Sequence, residues 1–519
     1  MRRILIAGIA LLGTMLGSAA HAAPPPEFGN DWDDPRVAAP PIPKPPGRSC
    51  TVRIVDNQFK SFDPFEGTFA PPAGCAGPWA KVVLTMHAAV KGRQFDRLGH
   101  LAIGGVTVFK TSTPQPSPEG IRWTVEKDIT AYSPILGAPQ PVMMRLDNVV
   151  DETYTGILDV QVDLTFWPGA PPEGGPDDVL TPGVALPRNT ERLLAEVYVT
   201  GSGGGCEEFW YITAPPSSGY SCPADNGPYR EVQILVDGQV AGIAAPFPHI
   251  YTGGWSNPFL WYVIPAPRAF DVAPVVYDLS PFVGRLTDGR PHEITVSVVG
   301  VPAGQPGWEA PVNLLAWRDP GSAQVTGDLL ASSLSPLRNE VEVSTVDGWT
   351  QVAVEGGRKF SAVGYVQSSR GRLTYVVGRE LANTSRHRWQ AGENPDALKA
   401  GWTDTSTVVV AGRSPSVTRH AARYTLDGVV SVSAENRLTT TMTATDAATH
   451  SSVGSSRPTH WTLDDTYTGE ATWTLGVPRP DRHGVGFSRE RYQLRGTTGC
   501  YDRTIATVNG FVTNDTNAC

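Results

Sequence analysis

Two short strings combine carboxylates with aromatic rings, the residue types that a sugar-processing site needs. The first, Arg-Gln-Phe-Asp-Arg, ends with Asp96 and Arg97. The second, Cys-Glu-Glu-Phe-Trp-Tyr, places Glu208 two residues after Cys206. Two separated carboxylates can share general acid and general base work. An aromatic face can support a sugar ring, and arginine offers a fork of hydrogen-bond donors.

The amino terminus predicts export. Residues 1–3 are Met-Arg-Arg, residues 4–16 are apolar, and residues 20–22 are Ala-His-Ala. This order is typical of a secretory signal peptide, so we expect residues 1–22 to be removed and the protein to be secreted, either extracellular or periplasmic. No later stretch is long and apolar enough for a membrane span. With a formal net charge of −9, the chain is not expected to bind nucleic acid in general.

Six cysteines predict disulfide bonds in an exported chain. They fall as neighbouring couples, and the simplest pairing is Cys50–Cys75, Cys206–Cys222 and Cys500–Cys519. Other pairings remain compatible with the sequence. None of the couples has CxxC spacing, and the ten histidines include no HExxH, so we predict no metal site.

Alternation of apolar and polar residues predicts an all-β fold. In residues 158–166 every second residue from Leu158 to Phe166 is apolar and those between are polar, the pattern of a half-buried antiparallel strand. Residues 293–298 repeat it, and residues 438–443 do so more weakly. Amphipathic helical patterns are nearly absent, and the chain has 54 Gly and 47 Pro. We therefore expect antiparallel sandwiches or jelly rolls.

Changes in composition divide the chain. The Pro-rich arm should be extended and weakly ordered unless it packs on something. Each of the first two β domains contains one of the two strings, so a site at their junction is expected. The predicted segments are a signal peptide (1–22), the Pro-rich arm (23–48), a first jelly-roll domain (49–167), a linker (168–188), a second jelly-roll domain (189–318) and a C-terminal β-rich domain (319–519).

A set of strings in a fixed order carries a family resemblance. The set resembles the peptide-N-glycosidases of the acidic A type, which are amidases that remove N-linked glycans from glycopeptides. The resemblance runs from about residue 48 to the C-terminus and is strongest before residue 320. The strings are Gly-Arg-Gln-Phe-Asp-Arg (92–97), Trp-Thr-Val-Glu-Lys-Asp-Ile-Thr (123–130), Thr-Tyr-Thr-Gly (153–156), Glu-Phe-Trp-Tyr (208–211), Pro-Phe-Pro (246–248), Tyr-Thr-Gly-Gly (251–254) and Leu-Ser-Pro-Phe (279–282).

The chain also distantly resembles the F-type enzyme of the same activity, which has two jelly-roll domains. In that enzyme an aromatic-Asp-Arg triplet and a Cys-x-Glu-Trp string carry the essential carboxylates. The resemblance therefore implies that Asp96 and Glu208 are catalytic and that Arg97 binds substrate. In this chain Phe209 follows the glutamate and Trp210 comes one place later. We expect Trp210 to contact the sugar.

Four further positions are candidates for the site. Glu207 is the alternative to Glu208, although its spacing from the preceding cysteine fits the resemblance less well. Asp147 lies near the place where the F-type enzyme holds a third acidic residue, and we expect it to bind substrate. Trp255 and Trp261 lie in a Gly/Pro-bounded loop and are candidates either for core packing or for a sugar platform. We prefer Trp261 as the platform.

The resemblance implies a hydrolase that cleaves the amide bond between an asparagine side chain and the innermost GlcNAc of an N-linked glycan. N-glycosylated peptides or proteins would be its substrates, and aspartate and a glycosylamine its products. It implies tolerance of a core α1,3-linked fucose. No metal or organic cofactor is expected, and activity should be highest at acidic pH. Two alternatives remain: a glycan-binding protein without turnover, and a glycoside hydrolase that cleaves between the two core GlcNAc residues.

Overall fold

The fold is built almost entirely of strands, which confirms the predicted all-β class. The predicted signal peptide and the first part of the Pro-rich arm lie outside the residues that the structure describes. The computed structural model describes residues 30–116, 119–201, 205–251, 257–305, 307–454, 458–478 and 481–519.

The first domain is an eight-stranded jelly roll. Two four-stranded sheets have the orders β1-β8-β3-β6 and β2-β7-β4-β5, the interleaved order that defines this fold. The alternation predicted for β8 is confirmed, because every second residue from Leu158 to Phe166 is fully buried. The strands are β1 (Cys50–Phe59), β2 (Phe65–Phe69), β3 (Trp79–Val90), β4 (Leu98–Ile103), β5 (Val106–Ser112), β6 (Ile121–Asp128), β7 (Gln140–Leu146) and β8 (Leu158–Pro168).

The second domain is a smaller sandwich with the same interleaving. Its sheets have the orders β14-β10-β17-β9 and β13-β12-β15, and β11 pairs with β16. Part of the predicted linker belongs to this domain, because Val179 of β9 is buried and β9 pairs with β17. The strands are β9 (Asp178–Leu180), β10 (Thr190–Val197), β11 (Thr200–Gly201), β12 (Glu231–Val236), β13 (Gln239–Ala244), β14 (Val275–Asp278), β15 (Ile294–Val299), β16 (Trp308–Glu309) and β17 (Val312–Arg318).

The C-terminal region is one large antiparallel sheet, called here the C-terminal sheet. From β20 to β28 each strand pairs with the next, and β18 and β19 pair with opposite halves of β20. The strands are β18 (Thr326–Leu334), β19 (Arg338–Val346), β20 (Trp349–Ser368), β21 (Gly371–Trp389), β22 (Asp396–Ala411), β23 (Ser416–Val432), β24 (Arg437–Val453), β25 (Thr459–Thr474), β26 (Val485–Gly496), β27 (Gly499–Val508) and β28 (Phe511–Asn517).

The helices of the described residues are short. None of them has the length and hydropathy that crossing a bilayer requires. They are the 3₁₀ turns Asn30–Asp33, Thr130–Gly137, Cys206–Ile212, Pro216–Ser218, Pro258–Trp261 and Ser280–Phe282, and the single α-helical turn α1 (Val283–Leu286).

Two apolar cores tie the three regions together. One fills the first jelly roll and continues through Trp210 and Trp261 to the C-terminal sheet, where it includes Trp402. The other lies between the sheets of the second domain and includes Phe360 and Tyr375 of the C-terminal sheet. The C-terminal sheet therefore covers the second domain with one of its faces.

All three predicted disulfides are confirmed: Cys50–Cys75, Cys206–Cys222 and Cys500–Cys519. The first lies in the first domain and the second closes a loop of the second domain. The third closes the hairpin formed by β27 and β28.

The described part of the Pro-rich arm packs on the rest of the protein. At its start the backbone N–H of Val512 donates to Asp31 (3.0 Å). Further along, Ala38 is fully buried, and Lys44 forms an ion pair with Glu126 of the first domain (2.6 Å). The arm therefore runs from the C-terminal sheet to the first jelly roll.

Candidate active site

The first and second domains are locked side by side. Between β5 and β17, the backbone N–H of Thr107 donates to the side-chain oxygen of Asn313 (3.0 Å), and the side-chain amide of Asn313 donates back to the Thr107 carbonyl (2.8 Å). Lys127 of β6 also forms an ion pair with Asp271 (2.9 Å). This junction brings together the two strings that the sequence singled out.

Glu208 lies on the short helix Cys206–Ile212, which follows Gly205 at a positive φ (94°) that favours glycine. Strand β11 runs directly behind this helix. A Cβ atom at Gly201 would collide with the carbonyl oxygen of Glu207, so only glycine allows the approach. The hydroxyl of Tyr251 donates to the Gly201 carbonyl (2.7 Å) and fixes β11 from the other side.

Glu207 has a structural position. Its side chain is 1% exposed and forms a two-pronged ion pair with buried Arg230, at 2.9 Å and 2.6 Å. The indole N–H of Trp308 donates to the same carboxylate (2.7 Å). Both oxygens of Glu207 are therefore bonded within the second domain, which ties the helix to β16.

Glu208 and Asp96 are neighbours across the domain junction. Burial raises the pKa of Glu208 to about 7, and the negative charge of Asp96 adds to the shift. The charges of both residues also contribute to the raised pKa of Tyr251, for which burial is the main cause. The structure thus brings the two predicted carboxylates together, one from each jelly roll.

The loop between β3 and β4 holds Asp96 and is organised by Gln94. The buried side-chain amide of Gln94 donates to the carbonyls of Val149 (2.9 Å) and Gly156 (3.0 Å). Its side-chain oxygen accepts a hydrogen bond from the guanidinium of Arg97 (2.6 Å). These bonds fix the backbone on both sides of Asp96.

Arg97 and Asp147 each offer a buried polar atom to the site. Within the described residues, Arg97 Nε and Asp147 Oδ1 have no hydrogen-bond partner. Burial lowers the pKa of Arg97, and the charges of Asp96 and Asp147 oppose that shift. Arg145 holds the other oxygen of Asp147 (2.7 Å). Because buried polar atoms are rarely left unpaired, these two are suited to polar groups of a ligand.

The predicted sugar-contacting tryptophans lie elsewhere. Trp210 is 7% exposed and packs edge-on against Trp402 with ring centroids 5.1 Å apart, and Trp261 is 5% exposed and packs 5.1 Å from Tyr467. Both partners belong to the C-terminal sheet, which covers the two rings. Both rings are therefore largely buried, and their contact with a sugar stays a prediction. Trp255 lies outside the described residues.

An accessible aromatic pair lies beside Asp96 instead. Phe95 is 45% exposed, and its ring centroid lies 5.2 Å from that of Tyr154. The guanidinium of Arg93 lies 5.7 Å from the Tyr154 ring. Phe95 and Tyr154 both belong to strings that carry the family resemblance. Their place in those strings could have identified them as candidates for sugar contact.

A charged cluster that the sequence did not predict extends the site. Glu309 of β16 lies 3.5 Å from Lys110, 3.8 Å from Arg145 and 3.9 Å from His100. Lys110 is fully buried, which lowers its pKa to about 8 against the opposing charge of Glu309. Nothing in the sequence around Lys110, which belongs to the mixed strand Val-Thr-Val-Phe-Lys-Thr-Ser, indicated this cluster.

Within the described residues, no group of three or more His, Cys, Asp and Glu side chains is arranged to hold a metal ion. The arrangement that the structure does provide is a pair of carboxylates flanked by cationic and aromatic side chains. Such a pair can move protons at a polar bond.

Comparison with known proteins identifies relatives. The family model described as "Peptide N-acetyl-beta-D-glucosaminyl asparaginase amidase A" matches residues 39–181 and 174–329, more than half of the chain. Among curated proteins, the chain is similar to peptide-N4-(N-acetyl-beta-glucosaminyl)asparagine amidase A from Prunus dulcis, with 31% identity over 381 residues. That alignment covers 64% of this chain and 66% of the relative, so the chain spans just under two thirds of the relative's length.

Solved structures show weaker similarity. PNGase F, a glycosylasparaginase from Flavobacterium meningosepticum, has 13% identity and a TM-score of 0.34, and the match covers 52% of this chain and 96% of that one. PNGF-II has 13% identity and a TM-score of 0.37, with 52% and 65% covered. At this level of similarity the solved structures add nothing to the assignment. The family match over more than half of the sequence shows that the chain belongs to the peptide N-acetyl-β-D-glucosaminyl asparaginase amidase A family.

Proposed function

We propose that the protein is a secreted amidase that hydrolyses the bond between an asparagine side chain and the innermost GlcNAc of N-linked glycans on peptides or proteins. The observation that carries the proposal is the meeting of Asp96 and Glu208, with the pKa of Glu208 raised to about 7. Membership of the family and the name of the Prunus dulcis relative support the choice of bond.

The two carboxylates have different environments and therefore different roles. Glu208 keeps its proton up to about neutral pH because burial and the charge of Asp96 disfavour its ionised form. As water attacks the asparagine carbonyl carbon and the new C–O bond forms, Asp96 accepts a proton from that water. As the C–N bond breaks, Glu208 protonates the departing nitrogen. The products are aspartate and a glycosylamine.

The surroundings of the pair supply the contacts that a sugar and a peptide need. The unpaired atoms Arg97 Nε and Asp147 Oδ1 provide one donor and one acceptor for the polar groups of the GlcNAc residue. The exposed ring of Phe95, packed on Tyr154, provides an apolar face. Positioning the scissile amide between fixed groups lowers the entropic part of the barrier.

Export is part of the proposal. The signal-peptide pattern of residues 1–22 supports it. All six cysteines form disulfides, as is typical of a protein in an oxidising compartment.

The mass of the released peptide tests the reaction. A short N-glycopeptide incubated with the protein should yield a peptide heavier by about one dalton than its unglycosylated form, because an amide nitrogen is replaced by oxygen. A peptide that keeps one GlcNAc would indicate a glycoside hydrolase. An unchanged glycopeptide that is nevertheless bound would indicate a glycan-binding protein. The Glu208→Gln variant, prepared identically, controls for a contaminating enzyme.

A further inference from the structure

The loop between Cys206 and Cys222, called here the 206–222 loop, has little internal structure to hold Glu208 in place. Its helices are the short 3₁₀ turns Cys206–Ile212 and Pro216–Ser218, and neither has a side-chain cap. Helices of this length are not stable alone. The position of the loop must therefore be set by what it packs against.

One side of the loop is anchored in a slot of the C-terminal sheet. The hydroxyl of Tyr220 donates to Asp396 (2.7 Å), and the other oxygen of Asp396 is held by His387 (2.6 Å). The Tyr220 ring packs against both His387 and Trp389, with centroid distances of 4.5 Å and 4.6 Å. Tyr220 is 7% exposed, so the slot encloses it.

The adjacent residue adds a second anchor. The backbone N–H and the hydroxyl of Ser221 donate to the two oxygens of Glu393, at 2.7 Å and 2.9 Å. Glu393 lies in the turn between β21 and β22. The next residue, Cys222, carries the disulfide to Cys206 at the start of the Glu208 helix. The sheet thus holds Tyr220 and Ser221 by hydrogen bonds. The Cys206–Cys222 disulfide then links this part of the loop to the helix that carries Glu208.

The other end of the helix meets the sheet directly. Two residues after Glu208, the ring of Trp210 packs edge-on against Trp402 of β22. Beneath the loop, Ala214 shares a buried apolar cluster with Val352 and Val354 of β20. The helix is therefore held against the C-terminal sheet on both sides of Glu208.

We propose that the C-terminal sheet positions Glu208 for the reaction through the 206–222 loop, with Tyr220, Glu393 and Trp402 as positioning residues. The proposal rests on the proposed function and gives the C-terminal sheet a part in it. A shift of about 1 Å in a catalytic group can cost about a hundredfold in rate. Loosening the loop would also admit water to Glu208, which faces Asp96 and Tyr251.

The test compares two tyrosines that bond across the same domain boundary. Tyr220→Phe removes the bond to Asp396, whereas Tyr375→Phe removes a buried bond from the sheet to the Glu191 carbonyl (2.9 Å), at a distance from the loop. We expect Tyr220→Phe to lower kcat by about tenfold or more with little change in KM, and to move the alkaline limb of the pH–rate profile to lower pH. Tyr375→Phe should change neither, although both should lower Tm.

A second variant keeps the proposal testable if Tyr220→Phe fails to fold. Glu393→Gln keeps the size of the side chain and weakens the bonds from Ser221, so it should show the same effects in smaller measure. The proposal would be overturned if Tyr220→Phe and Glu393→Gln had the same kcat and the same alkaline limb as the wild type. The C-terminal sheet would then contribute to stability only.

A measurement that needs no activity separates this inference from the proposed function. Carbon-13 NMR can follow the titration of Glu208, with Glu208→Gln assigning its resonance. We expect the pKa of Glu208 to fall toward its ordinary value in Tyr220→Phe and to stay unchanged in Tyr375→Phe. A titration unaltered by Tyr220→Phe contradicts the inference. A wild-type protein that cleaves no glycopeptide while this titration shifts contradicts the proposed function instead.

Discussion

Two segments of similar length are closed by a disulfide, and they differ in what else holds them. The 206–222 loop has only short turns of its own and is fixed by other regions. The segment from Cys500 to Cys519, called here the terminal hairpin, contains β27 and β28, which are already paired along their length. In the terminal hairpin, the disulfide joins two strands that backbone hydrogen bonds already hold together. In an irregular loop, a disulfide decides where a side chain such as Glu208 lies.

The largest expected difference concerns the carboxylates of the two segments. Glu208→Gln should reduce turnover by a factor on the order of 10²–10⁴, because it removes the proton that the departing nitrogen needs. Asp96→Asn should do the same by removing the base. Asp515→Asn in the terminal hairpin, which breaks a half-exposed pair with Arg503, should leave turnover unchanged. The rate of glycopeptide cleavage measures all three, and a loss below tenfold for Glu208→Gln would reassign that residue to structure.

The neighbouring glutamate should chiefly affect stability. Glu207→Gln leaves the buried guanidinium of Arg230 without its counter-charge, and breaking a buried pair lowers the free energy of unfolding by about 3–5 kcal/mol. Asp515→Asn should cost less than about 1 kcal/mol, as exposed pairs do. Thermal denaturation checks both. A Glu207→Gln protein as stable as the wild type would mean that this ion pair does not hold the helix.

The disulfides themselves should differ in the same direction. Cys206→Ser with Cys222→Ser frees the helix that carries Glu208, and we expect a fall in turnover of about a hundredfold. Cys500→Ser with Cys519→Ser should change turnover by no more than a few-fold, since the β27–β28 ladder remains. Cleavage rates of the folded fractions decide the point. Equal tolerance of both double variants would show that the 206–222 loop does not depend on its bridge.

The pH–rate profile should reflect the 206–222 loop alone. Because the pKa of Glu208 is about 7 and its acid form is required, turnover should fall as pH rises above about 7, by about tenfold per pH unit. The cysteine variants of the terminal hairpin should keep that limb in place. An optimum above about pH 8 would exclude Glu208 as the proton donor.

The smallest expected effect is on stability as a function of pH, and it has opposite signs in the two segments. The folded-state pKa of Glu208 is raised to about 7, so stability should fall as pH rises from the ordinary carboxyl pKa of about 4.3 to about 7. Glu208→Gln should therefore raise Tm above about pH 7 but not below about pH 4, where both states are protonated. In the terminal hairpin, the hydrogen bond from Arg491 lowers the pKa of Asp502. Asp502→Asn should therefore lower Tm at neutral pH and lose its effect in acid. Melting curves across pH test both signs.

The sequence predicted those features that depend on local pattern. The alternation in residues 158–166 gave β8 and its buried face, and the neighbouring cysteines gave the three disulfides. It also selected Asp96 and Glu208, because the motifs that place them are contiguous strings.

The features it missed depend on contacts between distant parts of the chain. Nothing near Trp210 or Trp261 indicates that the C-terminal sheet covers their rings. Glu309 belongs to a two-residue strand without a motif, and it reaches the site because β16 pairs with β11. Whether an aromatic ring or a charge is buried depends on the distant segment that packs against it. A single sequence does not show which segment that is.

The Pro-rich arm has a consequence for the order in which the molecule is completed. Asp31 receives its hydrogen bond from Val512, 481 positions later, and Arg503 of β27 donates to the carbonyl of Val37. Contacts of such separation form late, because the intervening chain must be ordered first. The arm leaves the ribosome early, yet its first residues cannot complete their docking until β27 and β28 have been made. We therefore expect a nascent chain lacking the last two strands to leave the start of this arm open to protease, and its protection to report that the whole molecule has assembled.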